Sequence, residues 1–487
     1  MRSLQSGSWK ISGTRTVLGA HTMTISYDLA ERINAIKFED LPAEAIPLAR
    51  TALLDAVGCA FVGAAEDMVK IIEKMPGFAG AEGPCAVFGR DYRTNPLDAV
   101  LINGTSAHAL DFDDMAITMG GHPTVMVMPI IFALGDVLEI SGKDAILAYV
   151  VGQETISRIA HGVHMHHYDK GWHPTATLGV FGATATASRL LGLSIEQTAK
   201  ALGIAASLAS GIKSNFGSMT KPLHVGHGNR NGLYAAMLAK EGFTSNDNAF
   251  EHKQGFLEVF NGPGTYNVDK MLADWGNPFD LVSVGVGLKK YPCCGATHPP
   301  IEAALSIRAD NNIDIDHIRK IEVLVHPFRL PHTNNPNPQT PLQCKFSQQY
   351  TVSRALLDGR IKLAHFERKA FEQPKIRDLL KKVDARVHPD MTEDSQPYHA
   401  AEVIVTTNNG EKFSSYNAVD LGRGLSNPMR DDELWEKFED CALRTLHEDA
   451  IKPLFERLQD LENETNLREI TSLMLHPATK SQRAAAE

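Results

Sequence analysis

The chain has 487 residues and a formal net charge of −10 at pH 7, with 43% hydrophobic and 22% charged residues. This composition excludes a disordered or fibrous protein, and the length exceeds one ordinary hydrophobic core, so two or three domains are expected. The acidic balance argues against nucleic acid or an anionic membrane as a partner. Any anion must therefore bind in a local basic pocket.

The start of the chain and its cysteines predict a cytoplasmic protein. Residues 1–22 contain basic residues but no acid, as a transit peptide does, yet Met23 leads straight into the first helical pattern. We therefore expect residues 1–22 to be disordered or a non-native extension. The six cysteines lack CxxC spacing and no secretory signal is evident, which fits a reducing compartment. The apolar stretch 125–134, interrupted by Pro129, is too short to cross a bilayer.

Helical patterns dominate the chain up to about residue 282. Ala-rich segments separated by Gly, Pro and Asn predict helices over 42–63, 96–110, 123–138, 143–162, 174–191 and 194–210. The last of these begins with the capping pattern Ser194-Ile195-Glu196-Gln197. These segments predict a large all-helical domain over 23–282.

Beyond residue 282 the pattern becomes mixed. Segments 321–325 and 401–405 alternate as strands do, and Asn409-Gly410 after the second is a hairpin signal. Helical patterns cover 299–310, 347–357 and 372–382. A smaller α+β domain is therefore predicted over 283–418. Residues 431–475 are again helical, so 419–487 is expected to complete the first domain, and the fold class is mainly α.

Four basic residues stand directly before a proline that opens a helical pattern: His122-Pro123, His173-Pro174, Lys221-Pro222 and His298-Pro299. Proline favours the first helical turn, where free N–H groups and partial positive charge attract carboxylates. Six His-Pro pairs occur where composition predicts only about one. These four helix starts predict a binding site for a small polyanion, although some of the six His-Pro pairs are expected to have only a structural role.

A basic loop precedes one of these helix starts. The segment 211–230 is rich in Gly, Ser and Asn and places Lys213, Lys221 and His224 close together, so it can bind carboxylates or phosphates; the alternative is a solvated basic loop. Upstream, Asp111 lies in a run of acids ahead of His122, and nearby carboxylates orient a histidine for acid–base catalysis.

Other chemistries lack their signatures. The acids at 111–114 do not have EF-hand spacing, and the histidines at 161–173 include no HExxH pattern, so no metal is expected. The chain contains neither GxSxG nor GxxxxGK[ST], and Gly285-Val286-Gly287 lacks the third glycine of a dinucleotide site.

Several motifs together resemble the MmgE/PrpD family over nearly the whole chain from about Tyr27. The motifs that carry the resemblance are His108-Ala109-Leu110-Asp111-Phe112-Asp113-Asp114 with His122-Pro123, Gly171-Trp172-His173-Pro174, Thr220-Lys221-Pro222-Leu223-His224-Val225-Gly226, Lys289-Lys290-Tyr291-Pro292-Cys293-Cys294-Gly295 and Phe346-Ser347-Gln348-Gln349-Tyr350. The resemblance implies a helical domain, an α+β domain that serves as a lid, and a homodimer.

The resemblance also implies roles for individual residues. The implied catalytic residues are Asp111, His122, His173 and Tyr350. The implied substrate-binding residues are Lys221 and Lys289, with Cys294 at a pocket position, and the basic loop adds Lys213 and His224 as candidates for substrate binding. Two positions depart from the family pattern, since Met115 replaces a threonine and Cys294 replaces a histidine, with His298 nearby.

The implied activity is that of a lyase without cofactor or metal, acting on a citrate-derived di- or tricarboxylate. The sequences Lys221-Pro222-Leu223-His224 and Cys293-Cys294 are more similar to those of cis-aconitate decarboxylases than of 2-methylcitrate dehydratases. Lysines and helix N-termini would hold carboxylates while a histidine moves the proton. An epimerase of an iminodisuccinate-like acid, with His122 and His173 on opposite faces, and a non-catalytic metabolite-binding protein are the alternatives.

Overall fold

The computed structural model describes residues 24–476 except 76, 78–81, 368, 396–398 and 419–422, so the extension expected at 1–22 lies outside the described residues. Helices form most of the first 283 residues. They are Ile25–Ala35 (α1), Ala45–Ala64 (α2), Asp67–Glu73 (α3), Pro96–His108 (α4), Thr124–Leu138 (α5), Gly142–Val163 (α6), His166–Asp169 (α7), Pro174–Thr177 (α8), Gly179–Leu190 (α9), Ile195–Leu208 (α10), Thr220–Lys240 (α11), Val268–Leu272 (α12) and Asp280–Ser283 (α13).

The predicted helices are present, with one divided in two. The helix expected over 174–191 is interrupted at Leu178, between α8 and α9. The capping pattern predicted for α10 is confirmed, because Ser194 N donates to Gln197 Oε1 (3.0 Å) and Gln197 N donates to Ser194 Oγ (3.2 Å).

Close packing of α4 against α11 brings two ends of these helices together. A Cβ atom on Gly226 of α11 would lie 2.2 Å from the carbonyl oxygen of Leu101 in α4, so only glycine fits there. The last residue of α4, His108, therefore lies near the first turn of α11, which contains Lys221.

The all-helical prediction for this part of the chain is wrong in one detail. A short antiparallel ribbon pairs Cys85–Ala86 (β1) with Arg93–Thr94 (β2). Asn103 of α4 holds it, since its side chain accepts from Phe88 N (3.0 Å) and donates to Ala86 O (2.9 Å). Two-residue strands contain no periodicity that a sequence pattern could reveal.

A four-stranded sheet and five helices form the mixed part of the chain. The strands are Ile318–Val325 (β3), Val383–Val387 (β4), Ala401–Thr407 (β5) and Lys412–Asn417 (β6), in the order β4-β3-β5-β6. The helices are His298–Asp310 (α14), Leu330–Thr333 (α15), Pro341–Lys345 (α16), Gln348–Asp358 (α17) and Pro374–Leu380 (α18). The predicted β5–β6 hairpin is present, whereas β4, which runs parallel to β3 at the sheet edge, was not predicted.

The two largest hydrophobic clusters among the described residues lie in different parts of the chain. The larger contains buried side chains between residues 25 and 288 and also between 434 and 474, whereas the second contains side chains between 291 and 405. A small cluster joins the two parts, because it packs Leu363 against Phe112 and Cys441. The last helices, Asp431–Ala442 (α19), Glu448–Gln459 (α20) and Leu467–Leu473 (α21), thus contribute to the first core. The exact boundaries 23–282, 283–418 and 419–487, and the movement of the mixed part as a lid, stay predictions.

Helix α2 is long and apolar enough to span a membrane by length and composition, a feature that the sequence analysis did not single out. Of its most apolar window, 72% is buried inside the fold, as in the core helix of a globular protein. Its composition is therefore weak evidence for a membrane.

Candidate active site between the helical and mixed parts

Asp111 is the centre of a charged cluster that both parts of the chain contribute to. Its Oδ1 lies 2.7 Å from Lys221 Nζ, and its Oδ2 lies 3.2 Å from Lys289 Nζ. Lys289 Nζ also donates to the backbone oxygen of Asp111 at 2.5 Å. Burial alone would raise the pKa of Asp111, but Lys221 and Lys289 outweigh it and hold that pKa well below its usual range. One carboxylate thus faces two ammonium groups, whose remaining N–H donors are free of it.

The backbone at Asp111 is left-handed, with φ of 56°. Asp tolerates this region better than most residues other than glycine and asparagine. The turn follows the end of α4 and directs the Asp111 side chain toward α11 and Lys289.

Two imidazoles share the carboxylate of Asp113. His108 Nδ1 lies 2.9 Å from Asp113 Oδ1, and His122 Nδ1 lies 3.0 Å from Asp113 Oδ2. The other nitrogen of His122 lies 3.4 Å from Asp111 Oδ1, so both of its nitrogens face carboxylate oxygens. Burial lowers the pKa of His108 to about 4, which makes this ring neutral at pH 7. The arrangement places a neutral His108 beside a His122 whose two nitrogens face carboxylate oxygens.

His173 and His224 form the adjoining pair. Their Nδ1 atoms lie 3.1 Å apart, so one nitrogen donates and the other accepts. Burial is the main cause that lowers the pKa of both rings, and that of His173 lies well below its usual range. The rings of His108 and His173 stack at 5.9 Å, which joins this pair to the Asp113 pair.

A cavity of about 320 Å³ lies beside this cluster. The helical part contributes Asp111 and Lys221 to its wall, and the mixed part contributes Cys294, Lys345 and Phe346. Ligand sites commonly lie between two structural units, and the volume suits a small molecule.

The structure brings together three of the four basic residues that directly precede a proline. His122 directly precedes Pro123 and α5, His173 precedes α8, and Lys221 lies in the first turn of α11; all three lie in or next to the cluster. His298, in contrast, is buried at the start of α14, where its Nε2 faces the backbone oxygen of Tyr291 at 3.2 Å. It is not part of the cavity wall.

Tyr350 and Lys213 lie neither in the cavity wall nor in the charged cluster beside it, which differs from the placement expected for both. Of the other predicted residues, His122, His173, His224 and Lys289 lie in the cluster but do not line the cavity. Tyr350 is buried in the mixed core, where its hydroxyl donates to the backbone oxygen of His365 and accepts from Arg354 Nε at 3.1 Å. Lys213 Nζ donates to the backbone oxygen of Tyr168 (2.8 Å) and lies 3.3 Å from the centroid of that ring. Both polar ends are thus satisfied elsewhere.

The two positions that depart from the family pattern have different surroundings. Cys294 lies in the cavity wall, and burial raises the pKa of its thiol. Met115 acts through its backbone, which exchanges hydrogen bonds of 3.0 and 2.7 Å with Gly287. That bridge fastens the loop after Asp111 to the segment leading to Lys289.

Sequence reasoning missed four residues of this region. His108 and Asp113 lie inside a motif that was recognised, and Lys345 directly precedes another, so their positions were a usable signal. Lys437 of α19 had none. Its Nζ lies 2.5 Å from Asp55 Oδ1 and donates to the backbone oxygens of Phe112 (2.9 Å) and Lys289 (2.8 Å).

A group of possible metal ligands overlaps the same cluster. The potential ligand atoms of His108, Asp111, Asp113 and His122 lie within 4.8 Å of one another. The oxygens of Asp111 face ammonium groups, and a cation would have to compete with both lysines. This donor set does not suit a divalent ion, and the expectation of no metal stays a prediction.

Comparison with known proteins agrees with the motifs. The MmgE/PrpD N-terminal domain matches residues 27–269, and the MmgE/PrpD C-terminal domain matches residues 291–460. The chain is similar to cis-aconitate decarboxylase of Homo sapiens, with 29% identity over 93% of this chain and 95% of that protein. It is also similar to the cis-aconitate decarboxylases of Mus musculus (27% identity, 94% and 95% covered) and Aspergillus terreus (27%, 90% and 93%). The two domain matches together cover most of the chain, which therefore belongs to the MmgE/PrpD family.

Proposed function

We propose that this protein is a lyase that needs no cofactor and acts on a citrate-derived di- or tricarboxylate, with decarboxylation of cis-aconitate as the first candidate reaction. One observation carries the proposal: Asp111, Lys221, Lys289 and His122 meet beside a cavity between the two parts of the chain. The similarity to cis-aconitate decarboxylases over at least 90% of the chain supports the same class of substrate.

The lysines account for binding of the substrate. An ammonium group has three N–H donors, and Lys221 uses one of them on Asp111 at 2.7 Å. Its remaining donors can hold a substrate carboxylate next to the positive end of α11. Negative charge that develops beside this carboxylate is stabilised by the same groups.

His122 accounts for the proton transfer. When the bond to the departing carboxylate breaks, carbon dioxide leaves and the electron pair stays on the substrate as an allylic carbanion. The imidazolium form of His122, facing both Asp111 and Asp113, donates a proton that forms the new C–H bond. Solvent then returns a proton to His122.

The histidine geometry favours a lyase over the epimerase alternative. Epimerisation needs acid–base groups on opposite faces of the substrate. Here the rings of His122 and His173 both contact His108, at centroid distances of 4.5 and 5.9 Å, so they belong to one cluster and not to two groups separated by the cavity. Dehydration of 2-methylcitrate uses similar groups and remains within the proposed class. Assembly as a homodimer and residence in the cytoplasm remain predictions.

Turnover in D₂O followed by proton NMR tests the proposal. Separate incubations with cis-aconitate, 2-methylcitrate and iminodisuccinate should show loss of carboxylate and deuterium incorporation for the first acid. We expect Lys221→Met to raise KM and to lower kcat as well, because the charge acts in the transition state. Lys369→Met, at an exposed lysine whose partner is Glu372, is the matched control. Epimerisation alone, or binding without turnover of any acid, would refute the lyase.

A further inference from the structure

Lys345 is a cation in the cavity wall that the predicted site did not include. It ends α16 in the mixed part of the chain and lines the same cavity as Lys221 of the helical part. Its Nζ donates to the backbone oxygen of Leu110 at 3.4 Å, near the upper limit for a hydrogen bond. Among the described residues, no carboxylate lies within 4.0 Å of this ammonium group.

The two lysines of the cavity wall and Lys289, which binds Asp111 behind it, differ in how their charge is compensated. Lys221 and Lys289 share the carboxylate of Asp111, whereas Lys345 has only a long contact with a carbonyl. Burial lowers the pKa of Lys345, and the nearby charges of Glu66 and Asp111 act in the opposite direction. Its ammonium group is thus costly to keep charged until an anion arrives.

The acidic residues of the wall leave Lys345 available to an anion. Glu66 and Glu367 also line the cavity; Glu66 acts on Lys345 without pairing with it, and Glu367 pairs with Arg444 at 3.0 Å. Lys221 and Lys345 are the lysines that line this cavity, and a polycarboxylate can place its charges toward them. Because Lys221 belongs to the helical part and Lys345 to the mixed part, a ligand bound to both lysines would contact both parts of the chain.

We propose that Lys345 is a substrate-binding residue that receives a third carboxylate and so selects tricarboxylates over dicarboxylates. This inference rests on the proposed function, which supplies the class of substrate. The inference adds which members of that class the cavity prefers. Loss of one charge-assisted hydrogen bond lowers affinity about tenfold or more.

Two saturated acids test the inference without any turnover. Tricarballylate has three carboxylates, and glutarate is the same chain without the central one. Calorimetric titration of the full chain should give a Kd for tricarballylate about tenfold or more below that for glutarate. Lys345→Met should weaken tricarballylate and leave glutarate nearly unchanged, whereas Lys345→Arg should keep the preference. Lys369→Met is again the control, and Lys345→Gln replaces the Met variant if the latter fails to fold by circular dichroism.

The outcomes separate this inference from the proposed function. An unchanged preference in Lys345→Met or Lys345→Gln, or equal weakening of both acids, overturns the role of Lys345. If tricarballylate binding depends on Lys345 but the unaltered protein converts no acid, the inference stands and the proposed function fails. Normal turnover with an unchanged KM for cis-aconitate in Lys345→Met refutes the inference alone.

Discussion

Replacement of Asp111 by asparagine tests the charge balance at the centre of the site. Asparagine also tolerates the left-handed backbone at φ 56°, so Asp111→Asn removes the charge without straining the chain. Alanine there would add about 1–2 kcal/mol of backbone strain. The asparagine variant thus isolates the electrostatic effect.

The hydrogen bonds of Asp111 set the size of the effect. A hydrogen bond to a charged group contributes about 1.5–3 kcal/mol, against about 1 kcal/mol for a neutral one. An amide has one oxygen and one NH₂, so it can accept from either Lys221 or Lys289 while its NH₂ faces the other ammonium group. Because the substitution removes one of these hydrogen bonds and weakens the other, we expect a cost of about 2–4 kcal/mol. That corresponds to a fall in kcat/KM of about 30-fold to 10³-fold.

The measurement is kcat/KM for cis-aconitate by NMR, with thermal unfolding followed by circular dichroism to check the fold. Asp274→Asn is a matched control, because Asp274 is exposed and has a similar left-handed backbone with φ of 51°. Turnover by Asp111→Asn close to that of the Asp274→Asn control would refute the reasoning that Asp111 holds the lysines in their active arrangement.

Three further predictions concern protons and movement. His122→Ala and His173→Ala should each lower kcat by about 10² or more with the fold intact; near-normal rates in both would remove these residues from the mechanism. Burial raises the pKa of Asp114 from 3.8 to about 8, so the unfolded chain ionises first and stability should fall as pH rises from about 4 to 8. Asp114→Asn should flatten this slope in denaturant titrations, and an unchanged slope would contradict the burial argument. Hydrogen exchange should slow at 211–224 and also at 285–295 when tricarballylate binds; protection of the first segment alone would exclude closure of the mixed part.

The elements with a repeating pattern could be predicted from the sequence. Helices such as α5 and the β5–β6 hairpin contain strong periodicity or turn signals, and their positions agree with the structure within a few residues. Strand β4 was missed although Val383-Asp384-Ala385-Arg386-Val387 alternates between apolar and polar residues, because it is only five residues long and directly follows a helical pattern.

The site was predictable where local sequence fixes the position of a side chain. His122, His173 and Lys221 each stand at or just before the start of a helix, a position that a local pattern marks, and packing of these helices then brings the three side chains into one cluster. The position of the Tyr350 hydroxyl depends instead on Arg354 and on a backbone oxygen fifteen residues along the chain. Tertiary packing of this kind leaves no trace in a motif.

The hydrogen bonds that Lys437 donates to the backbone oxygens of Phe112 and Lys289 have a consequence for biosynthesis. The ribosome synthesises residues 111–114 and Lys289 long before it reaches α19, and the N-terminal domains of a protein begin to fold during synthesis. Until residue 437 has left the exit tunnel, the backbone oxygens of Phe112 and Lys289 lack the ammonium group that binds both of them. Asp55 likewise remains a buried acid without its cation. A nascent or prematurely terminated chain can therefore form most of its helices and still lack the geometry of the site.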